Sequence, residues 1–209
     1  MRREHYWNSI YQSDIYGLPK YDGWLDKYLS ILHRSNCIID LGCGSGVDTI
    51  ELSKHNIRVL SCDISNSALL QLKKHLPDAE VLCFNMAQGL PFESESIDVI
   101  ISDLSLHYFD LQTTKKIGLD IYRVLRSKGM LLSRVNSIDE YIFQQNDTKL
   151  EENYYFTKGY NRRYFSVEDI NEIFGPIFSI RSISESTSNK YYEDKHLIEF
   201  VAMKDKSIE

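Results

Sequence analysis

The stretch of the sequence most able to do chemistry is IIDLGCGSGVDTIEL, residues 38–52, where Gly42, Gly44 and Gly46 alternate after Asp40. Glycine permits tight turns and lets a ligand lie directly against the backbone. Where such a loop joins a buried strand to a helix, the helix N-terminus attracts negative charge. The stretch therefore predicts a ligand-binding loop, with Asp40 available to a cationic group.

The glycine spacing argues against two common phosphate-binding loops. A dinucleotide-binding loop needs Gly or Ala where this sequence has Val47, because Gly46 comes one residue early. A P-loop needs Gly-Lys followed by Ser or Thr, and the loop here lacks that run. The predicted ligand need not carry a pyrophosphate.

A second acidic residue, Asp63, ends the apolar run RVLSCDIS. A carboxylate at the end of the second strand of an α/β unit accepts hydrogen bonds from both hydroxyls of a ribose, and its charge disfavours a 2′-phosphate. A nucleoside that carries a cation and an amino-acid tail suits Asp63, Asp40 and the helix N-terminus together. S-adenosylmethionine is such a molecule.

The elements that must position these residues alternate along the chain. Five apolar runs are predicted strands, and helical patterns lie between them. The runs are CIIDLG, RVLSCDIS, AEVLCFNMA, IDVIISDLSLHYF and MLLSRVNS. This order predicts right-handed crossovers and a doubly wound α/β sheet. The helical pattern TTKKIGLDIYRVLRSKG is expected to end at Gly129 as its C-cap, and Ser166 is expected to cap a later helix. Two closing runs, FSIRSISES and HLIEFVAMK, predict an antiparallel hairpin.

Composition limits the classes of partner. The chain has 209 residues, the size of one domain, and its net charge of -6 disfavours a nucleic-acid partner. It has no signal-peptide pattern and no apolar run long enough to cross a membrane, so a cytoplasmic protein is expected. The four cysteines lack metal-site spacing, so no metal is predicted, and reduced thiols in the core are expected.

Four motifs in order resemble the class I S-adenosylmethionine-dependent methyltransferases: DLGCGSG at 40–46, CDIS at 62–65, LPFESESIDVIISDLSLHYF at 90–109 and IYRVLRSKGMLL at 121–132. The end of the chain, GYNRRYFSVEDI to FVAMK, looks like the small-molecule branch that acts on tellurite and thiols. The resemblance implies one methyltransferase domain over residues 1–209. It also implies a Rossmann-like seven-stranded sheet, mostly parallel, with an antiparallel C-terminal strand.

The resemblance also implies cofactor-binding residues for S-adenosylmethionine, whose product is S-adenosylhomocysteine. Those beside the methionine and sulfonium are Asp40, Gly42, Cys43 and Gly44, with Asp103 and Leu104 on the border of the methionine; those at the ribose and adenine are Asp63, Ile64, Met86 and Ala87. One departure stands out, because Met86 occupies the place where the family often has an aspartate that reads the adenine amino group. Asn85, just before it, could substitute.

Two tyrosine-rich segments fall outside the strand–helix rhythm: residues 1–30, expected as a helical cap, and residues 137–165, expected as a lid-like insertion. Aromatic faces suit a sulfonium and an apolar acceptor. We expect Tyr11 to contact the cofactor, and Tyr160, Arg163 and Tyr164 to contact the acceptor. A lid with its own aromatic core is the alternative. Arg162 and Arg163 suit an anionic acceptor, or else pair with acids such as Glu151.

His107, in SLHYF after the fourth strand, is the candidate general base, and a packing role is its alternative. The predicted function is methyl transfer from S-adenosylmethionine to a small-molecule acceptor. An RNA or protein methyltransferase, a non-catalytic S-adenosylmethionine-binding protein and a nicotinamide-dependent oxidoreductase are the alternatives. The fourth strand is followed by SDLSLHYF, without the Asn-Pro-Pro-Tyr run of enzymes that methylate the amino groups of bases or glutamine.

Overall fold

A large sheet dominates the computed structural model, which describes residues 3–13, 17–141, 147–157, 159–190 and 194–205. The strands in this part of the chain are β1 Ile38–Leu41, β2 Leu60–Asp63, β3 Glu80–Cys83, β4 Ile97–Asp103, β5 Leu125–Asn136, β6 Thr148–Glu151, β7 Tyr154–Thr157, β8 Tyr160–Arg163, β9 Ser179–Ser188 and β10 Lys195–Met203. Seven of them form the main sheet in the order β3-β2-β1-β4-β5-β10-β9. β10 runs antiparallel to both of its neighbours. The predicted fold, including the closing hairpin, is confirmed.

Helices connect and flank these strands. The α-helices are α1 Arg3–Gln12, α2 Leu29–Leu32, α3 Val47–Lys54, α4 Asn66–His75, α5 Leu111–Val124, α6 Ile138–Tyr141 and α7 Val167–Phe174, and 3-10 turns cover Asp26–Tyr28, Met86–Gln88 and Leu106–Tyr108. The predicted cap of α7 is present as a capping box, in which Ser166 accepts from the Asp169 amide and the Asp169 side chain accepts from the Ser166 amide. Among the described helices, none combines the length and apolarity that crossing a bilayer requires.

The strand order places the candidate site. β1 lies between β2 and β4 in parallel register, with Ile39 opposite both Leu60 and Ile100. The order of the strands reverses on either side of β1, which makes its carboxyl end a topological switch point. The glycine loop, Asp63 and Asp103 all follow carboxyl ends at this edge. Parallel pairing therefore gathers residues that are far apart in the sequence.

The core lies on both faces of the sheet, because neighbouring strand residues point to opposite sides. Ile38, Val99 and Leu132 pack with one apolar cluster, while Ile39 and Ile100 pack with the other. Helices cover each face, as the apolar runs of a buried parallel sheet require. This packing holds the ends of β1, β2 and β4 rigidly at the switch point.

Two expectations are corrected by the structure. Helix α5 ends at Val124 rather than Gly129, because Leu125 already begins β5 and pairs with Ile97. Gly129 is a strand residue, where an added Cβ would lie 2.9 Å from the backbone oxygen of Arg126.

All four cysteines are free, but only Cys62 is buried and Cys83 is exposed, so a core role is wrong for Cys83.

The tyrosine-rich segment around 137–165 contains a second, three-stranded antiparallel sheet in the order β6-β7-β8. Its register places Tyr155 opposite Arg162 and Tyr154 opposite Arg163. Residues 14–16 of the expected cap, and 142–146 and 158 of the expected insertion, lie outside the described residues. Helix α1 and this small sheet are in contact, because the ring centroids of Tyr6 and Tyr160 lie 5.5 Å apart.

Candidate active site

The glycine loop takes a backbone path that requires glycine. Gly42, Gly44 and Gly46 have φ values of 80°, 56° and 83°, in the left-handed region that L side chains rarely adopt. An added Cβ at Gly44 would lie 2.5 Å from the Tyr11 hydroxyl, and one at Gly42 would collide with the Ser105 side chain. The amide of Gly42 donates to the Cys62 carbonyl over 2.7 Å, which folds the loop back onto β2.

Asp63 is held in place by this loop. Its Oδ2 accepts a hydrogen bond from the Gly44 amide over 2.9 Å, and its Oδ1 accepts one from the Ser65 amide over 2.8 Å. Burial raises the pKa of Asp63, although these backbone amides partly oppose that rise. Each carboxylate oxygen keeps acceptor capacity for a further donor. Asp63 can therefore receive two hydroxyl groups from a ligand in the cavity.

A cavity of about 470 Å³ opens at this edge of the sheet. Most of the predicted site residues border it: Tyr11, Asp40, Gly42, Cys43, Gly44, Asp63, Ile64, Asn85, Met86, Asp103, Leu104, His107 and Tyr160. Ala87 does not border it, because its amide donates to Oδ1 of Asn85 over 3.0 Å, in the cap of a 3-10 turn. The cavity is large enough for a nucleoside-sized ligand.

Asp40 lies on the cavity wall and is almost fully enclosed. Its Oδ2 accepts a hydrogen bond from the Thr49 hydroxyl over 2.8 Å. Burial, with the nearby charge of Asp48, raises the pKa of Asp40 to about 8. A cation bound beside Asp40, such as a sulfonium, would favour the ionised form of the Asp40 carboxyl group.

Asp103, at the end of β4, belongs to a buried ion network. Arg134 holds both of its oxygens, with Nε–Oδ1 and Nη2–Oδ2 distances of 2.8 and 2.9 Å. Lys190, which also pairs with Asp48, lies 2.6 Å from Oδ2 of Asp103. Burial alone would raise the pKa of Asp103, but the charges of Arg134 and Lys190 hold it far below its usual range. Asp103 is therefore a fixed, ionised part of the wall.

His107 borders the cavity with only 2% of its surface exposed. Its Nδ1 has no hydrogen-bond partner among the described residues. Burial, with the positive charges of Arg162 and Lys195, lowers the pKa of His107 well below its ordinary value. His107 is neutral at physiological pH, and its ring can accept a proton from a group beside it.

The neighbouring arginines of β8 point to opposite faces, as strand geometry requires. Arg162 borders the cavity. Arg163 pairs with Glu151 over 2.7 Å and donates to the Phe109 carbonyl over 3.2 Å, away from the cavity. Tyr164 is fully buried and packs against Tyr155 with ring centroids 6.0 Å apart. Contrary to the expected acceptor contacts, neither Arg163 nor Tyr164 borders the cavity, whereas Arg162 borders it together with Arg3, Lys190 and Lys195.

Sequence reasoning missed several residues of the wall. Tyr6 and Trp7 of α1 and Tyr108 form an aromatic cluster with Tyr160, and the Trp7–Tyr108 centroids are 4.8 Å apart. The density of tyrosines was the signal for this cluster. No feature of the sequence indicated Lys190, because only the fold brings the end of β9 close to the glycine loop. The described residues contain no group of three or more His, Cys, Asp or Glu side chains placed to hold a metal ion.

Comparison with known proteins agrees with this geometry. Residues 39–133 match a family model described as a methyltransferase domain. An uncharacterized methyltransferase of Schizosaccharomyces pombe is 31% identical over 134 residues, which cover 62% of this chain and 51% of the relative. A malonyl-[acyl-carrier protein] O-methyltransferase of Herminiimonas arsenicoxydans is 31% identical over 100 residues, 47% of this chain and 36% of the relative. The matched segment thus spans about half, or less, of these relatives.

Solved structures share the fold at low sequence identity. A crystal structure described as S-adenosylmethionine-dependent methyltransferases from Methanosarcina mazei superposes with a TM-score of 0.73 at 16% identity, covering 88% of this chain and 98% of that one. The matched residues 39–133 contain the glycine loop, Asp63, Asp103 and His107. Residues 39–133 are thus similar to a methyltransferase domain, and the fold is one that solved S-adenosylmethionine-dependent methyltransferases share.

Proposed function

We propose that the chain transfers a methyl group from S-adenosylmethionine to a small-molecule acceptor. The observation that carries the proposal is that one cavity is bordered both by Gly44 and Asp63 and by Tyr160 and Arg162. The first pair suits the ribose and the amino-acid tail of the cofactor. The second pair leaves a separate polar and aromatic wall for an acceptor.

The charges along the cavity support this orientation. Asp40 and Asp63 stand at the glycine-loop end, where a sulfonium and a ribose would lie. Arg162 and Lys195 also border the cavity, and both raise the positive potential around His107. The acidic residues suit a cation and the basic residues suit an electron-rich acceptor within the same cavity.

S-adenosylmethionine, when bound, supplies a methyl group already activated by the positive sulfur. The chain's own contribution is then orientation and exclusion of water. Asp63 would fix the ribose, and the amides at the start of α3 would face the carboxylate of the amino-acid tail. The aromatic residues Trp7 and Tyr108 would shield the reacting groups from solvent. Neutral His107 would accept the proton of a hydroxyl or amino acceptor.

The size of the cavity favours a small acceptor, because about 470 Å³ leaves limited room beside a nucleoside cofactor. The relative from Herminiimonas arsenicoxydans is named as an O-methyltransferase of malonyl-[acyl-carrier protein], and a malonyl group is a small acyl chain. The net charge of -6 disfavours RNA.

The proposal is tested with S-adenosylmethionine labelled in its methyl group. The chain is incubated with a cell extract divided into small metabolites, protein and RNA, and the label in each fraction is measured. We expect label in the small-metabolite fraction, with equal formation of S-adenosylhomocysteine. Label in the protein or RNA fraction would show that the acceptor is a macromolecule rather than a small molecule. Tight cofactor binding without label in any fraction would favour a non-catalytic binding protein.

A further inference from the structure

We propose that Arg162 anchors a carboxylate of the acceptor, so that the substrate class is an apolar carboxylic acid. This inference rests on the proposed methyl transfer and names the substrate of the same site. It goes beyond that function because it names the chemical class of the acceptor.

Arg162 is a buried cation without an acidic partner. Only 9% of its surface is exposed, and no described carboxylate lies within ion-pair distance of its guanidinium. Its Nε has no hydrogen-bond partner among the described residues. Its neighbours are the hydroxyls of Tyr160, to which Nη2 donates, and Tyr164. These neutral groups orient the guanidinium but do not neutralise it.

The other buried arginines and lysines of the described chain all have acidic partners. The pairs are Arg134 with Asp103, Arg163 with Glu151, Lys190 with Asp48 and Asp103, and Lys204 with Glu95. A buried charge is unfavourable unless an opposite charge and hydrogen bonds compensate it. Arg162 is the exception in this set, and it is also on the cavity wall. A bound anion would supply the missing counter-charge.

None of the acids on the described cavity wall forms an ion pair with Arg162; they are Asp40, Asp48, Asp63, Asp103 and Glu140. Asp103 is held by Arg134 and Lys190. Glu140 borders the cavity, and its Oε2 accepts a hydrogen bond from the His196 amide over 2.8 Å. Neither forms an ion pair with Arg162. The guanidinium of Arg162 is therefore available to form an ion pair with a bound ligand.

The wall beside Arg162 defines the rest of the ligand. The guanidinium lies over the Tyr160 ring, 5.0 Å from its centroid, and the rings of Trp7 and Tyr108 lie 5.8 and 5.7 Å from that of Tyr160. These faces suit an apolar or aromatic body. The planar fork of a guanidinium matches the two oxygens of a carboxylate. One uncompensated cation also matches one negative charge better than the nearly two charges of a phosphate monoester.

The test compares carboxylates with neutral amides of the same shape. The intact chain is saturated with S-adenosylhomocysteine, and dissociation constants are measured by calorimetry for benzoate and benzamide, phenylacetate and phenylacetamide, octanoate and octanamide, and phenyl phosphate. We expect at least one acid to bind tenfold or more tightly than its amide. Arg162→Gln should abolish that preference, and Arg162→Lys should restore only part of it because the planar fork is lost.

Arg126→Gln is the control, since it removes one positive charge from the surface ion pair with Asp98, outside the cavity. It should retain the full preference for the acid. Binding of S-adenosylhomocysteine to each variant shows that the fold is intact. The inference is overturned if no acid binds more tightly than its amide, if Arg162→Gln keeps the preference, or if phenyl phosphate binds more tightly than every acid. Failure of the wild-type chain to bind S-adenosylhomocysteine would instead overturn the proposed function.

Discussion

The backbone amide of Gly44 donates a hydrogen bond of 2.9 Å to Oδ2 of Asp63, which joins the glycine loop after β1 to the end of β2. The two features that define the predicted cofactor site are thus one structural unit. The bond orients the carboxylate toward the cavity before any ligand binds. Preorganisation of this kind reduces the ordering that binding requires.

Replacing Asp63 by Asn tests the predicted ribose contact. Asn keeps the size of the side chain but loses the charge, and its amide group meets the donors of Gly44 or Ser65. Hydrogen bonds to a charged group contribute about 1.5–3 kcal/mol each. We therefore expect about 10- to 100-fold weaker binding of both S-adenosylmethionine and S-adenosylhomocysteine by calorimetry. Equal affinity in the variant would exclude Asp63 as the ribose ligand.

Gly44→Ala tests the close approach of the loop to α1. The residue has a φ of 56°, which costs an L side chain about 1–2 kcal/mol, and the new Cβ would press on the Tyr11 hydroxyl. We expect a lower free energy of unfolding and weaker cofactor binding. Gly118→Ala is the control, because in α5 the nearest atoms would lie 3.4 Å away and alanine favours a helix. Urea unfolding should show a loss for the first variant and none for the second.

Much of the main sheet could be predicted from the sequence. β1, β2 and β4 are short apolar runs that end in Gly or Asp, and the hydrophobic pattern is enough to identify them. The second sheet was not predicted, because β6 and β8 are polar and show no clear alternation. The end of α5 was also misplaced, since the basic residues after Leu125 suit a helix end as well as a strand.

The parts of the site that could not be predicted depend on register and on contacts distant in sequence. Choosing between Arg162 and Arg163 requires knowing which of two adjacent strand residues faces the cavity. The network of Asp103, Arg134 and Lys190 joins β4, β5 and the end of β9, which only the folded chain brings together. Neither the direction of a strand side chain nor these distant contacts can be predicted from the spacing of residues along the sequence.

Arg134 should contribute far more to stability than Arg126, although both lie on β5 and pair with an Asp of β4. Arg134 is buried against Asp103 and Asp22, whereas the Arg126 side chain is 46% exposed beside Asp98. Removing one partner of a buried ion pair typically costs about 3–5 kcal/mol. An exposed pair is worth about 0–1 kcal/mol. Comparable losses for Arg134→Met and Arg126→Met in chemical unfolding would contradict this account of the network.

The pH dependence of stability should report on His107. Its pKa is lowered in the folded chain, so below pH 6.5 the unfolded chain binds a proton that the folded chain does not. Stability is therefore lost as the pH falls below 6.5, by up to about 1.4 kcal/mol per pH unit from this group. His107→Gln should flatten the decrease in unfolding free energy between pH 7 and 5.5. An identical decrease in both proteins would show that His107 titrates alike when folded and unfolded.

The same residue is the proposed general base, and kinetics tests that role separately. Once an acceptor is known, His107→Ala should lower kcat about 100-fold or more if the acceptor must lose a proton. Binding of S-adenosylhomocysteine should be retained, because the base acts on the acceptor. Unchanged turnover with the true acceptor would leave His107 as a packing residue beside Tyr108.

Calorimetric titration of the purified chain with S-adenosylmethionine, S-adenosylhomocysteine and NAD tests whether the cavity binds the proposed cofactor. Asp63 and the loop at Gly42–Gly46 suit a nucleoside with an amino-acid tail, while Val47 stands where a pyrophosphate loop needs Gly or Ala. The account predicts one saturable site for each of the first two ligands and no heat of binding for NAD. Binding of NAD alone would contradict it.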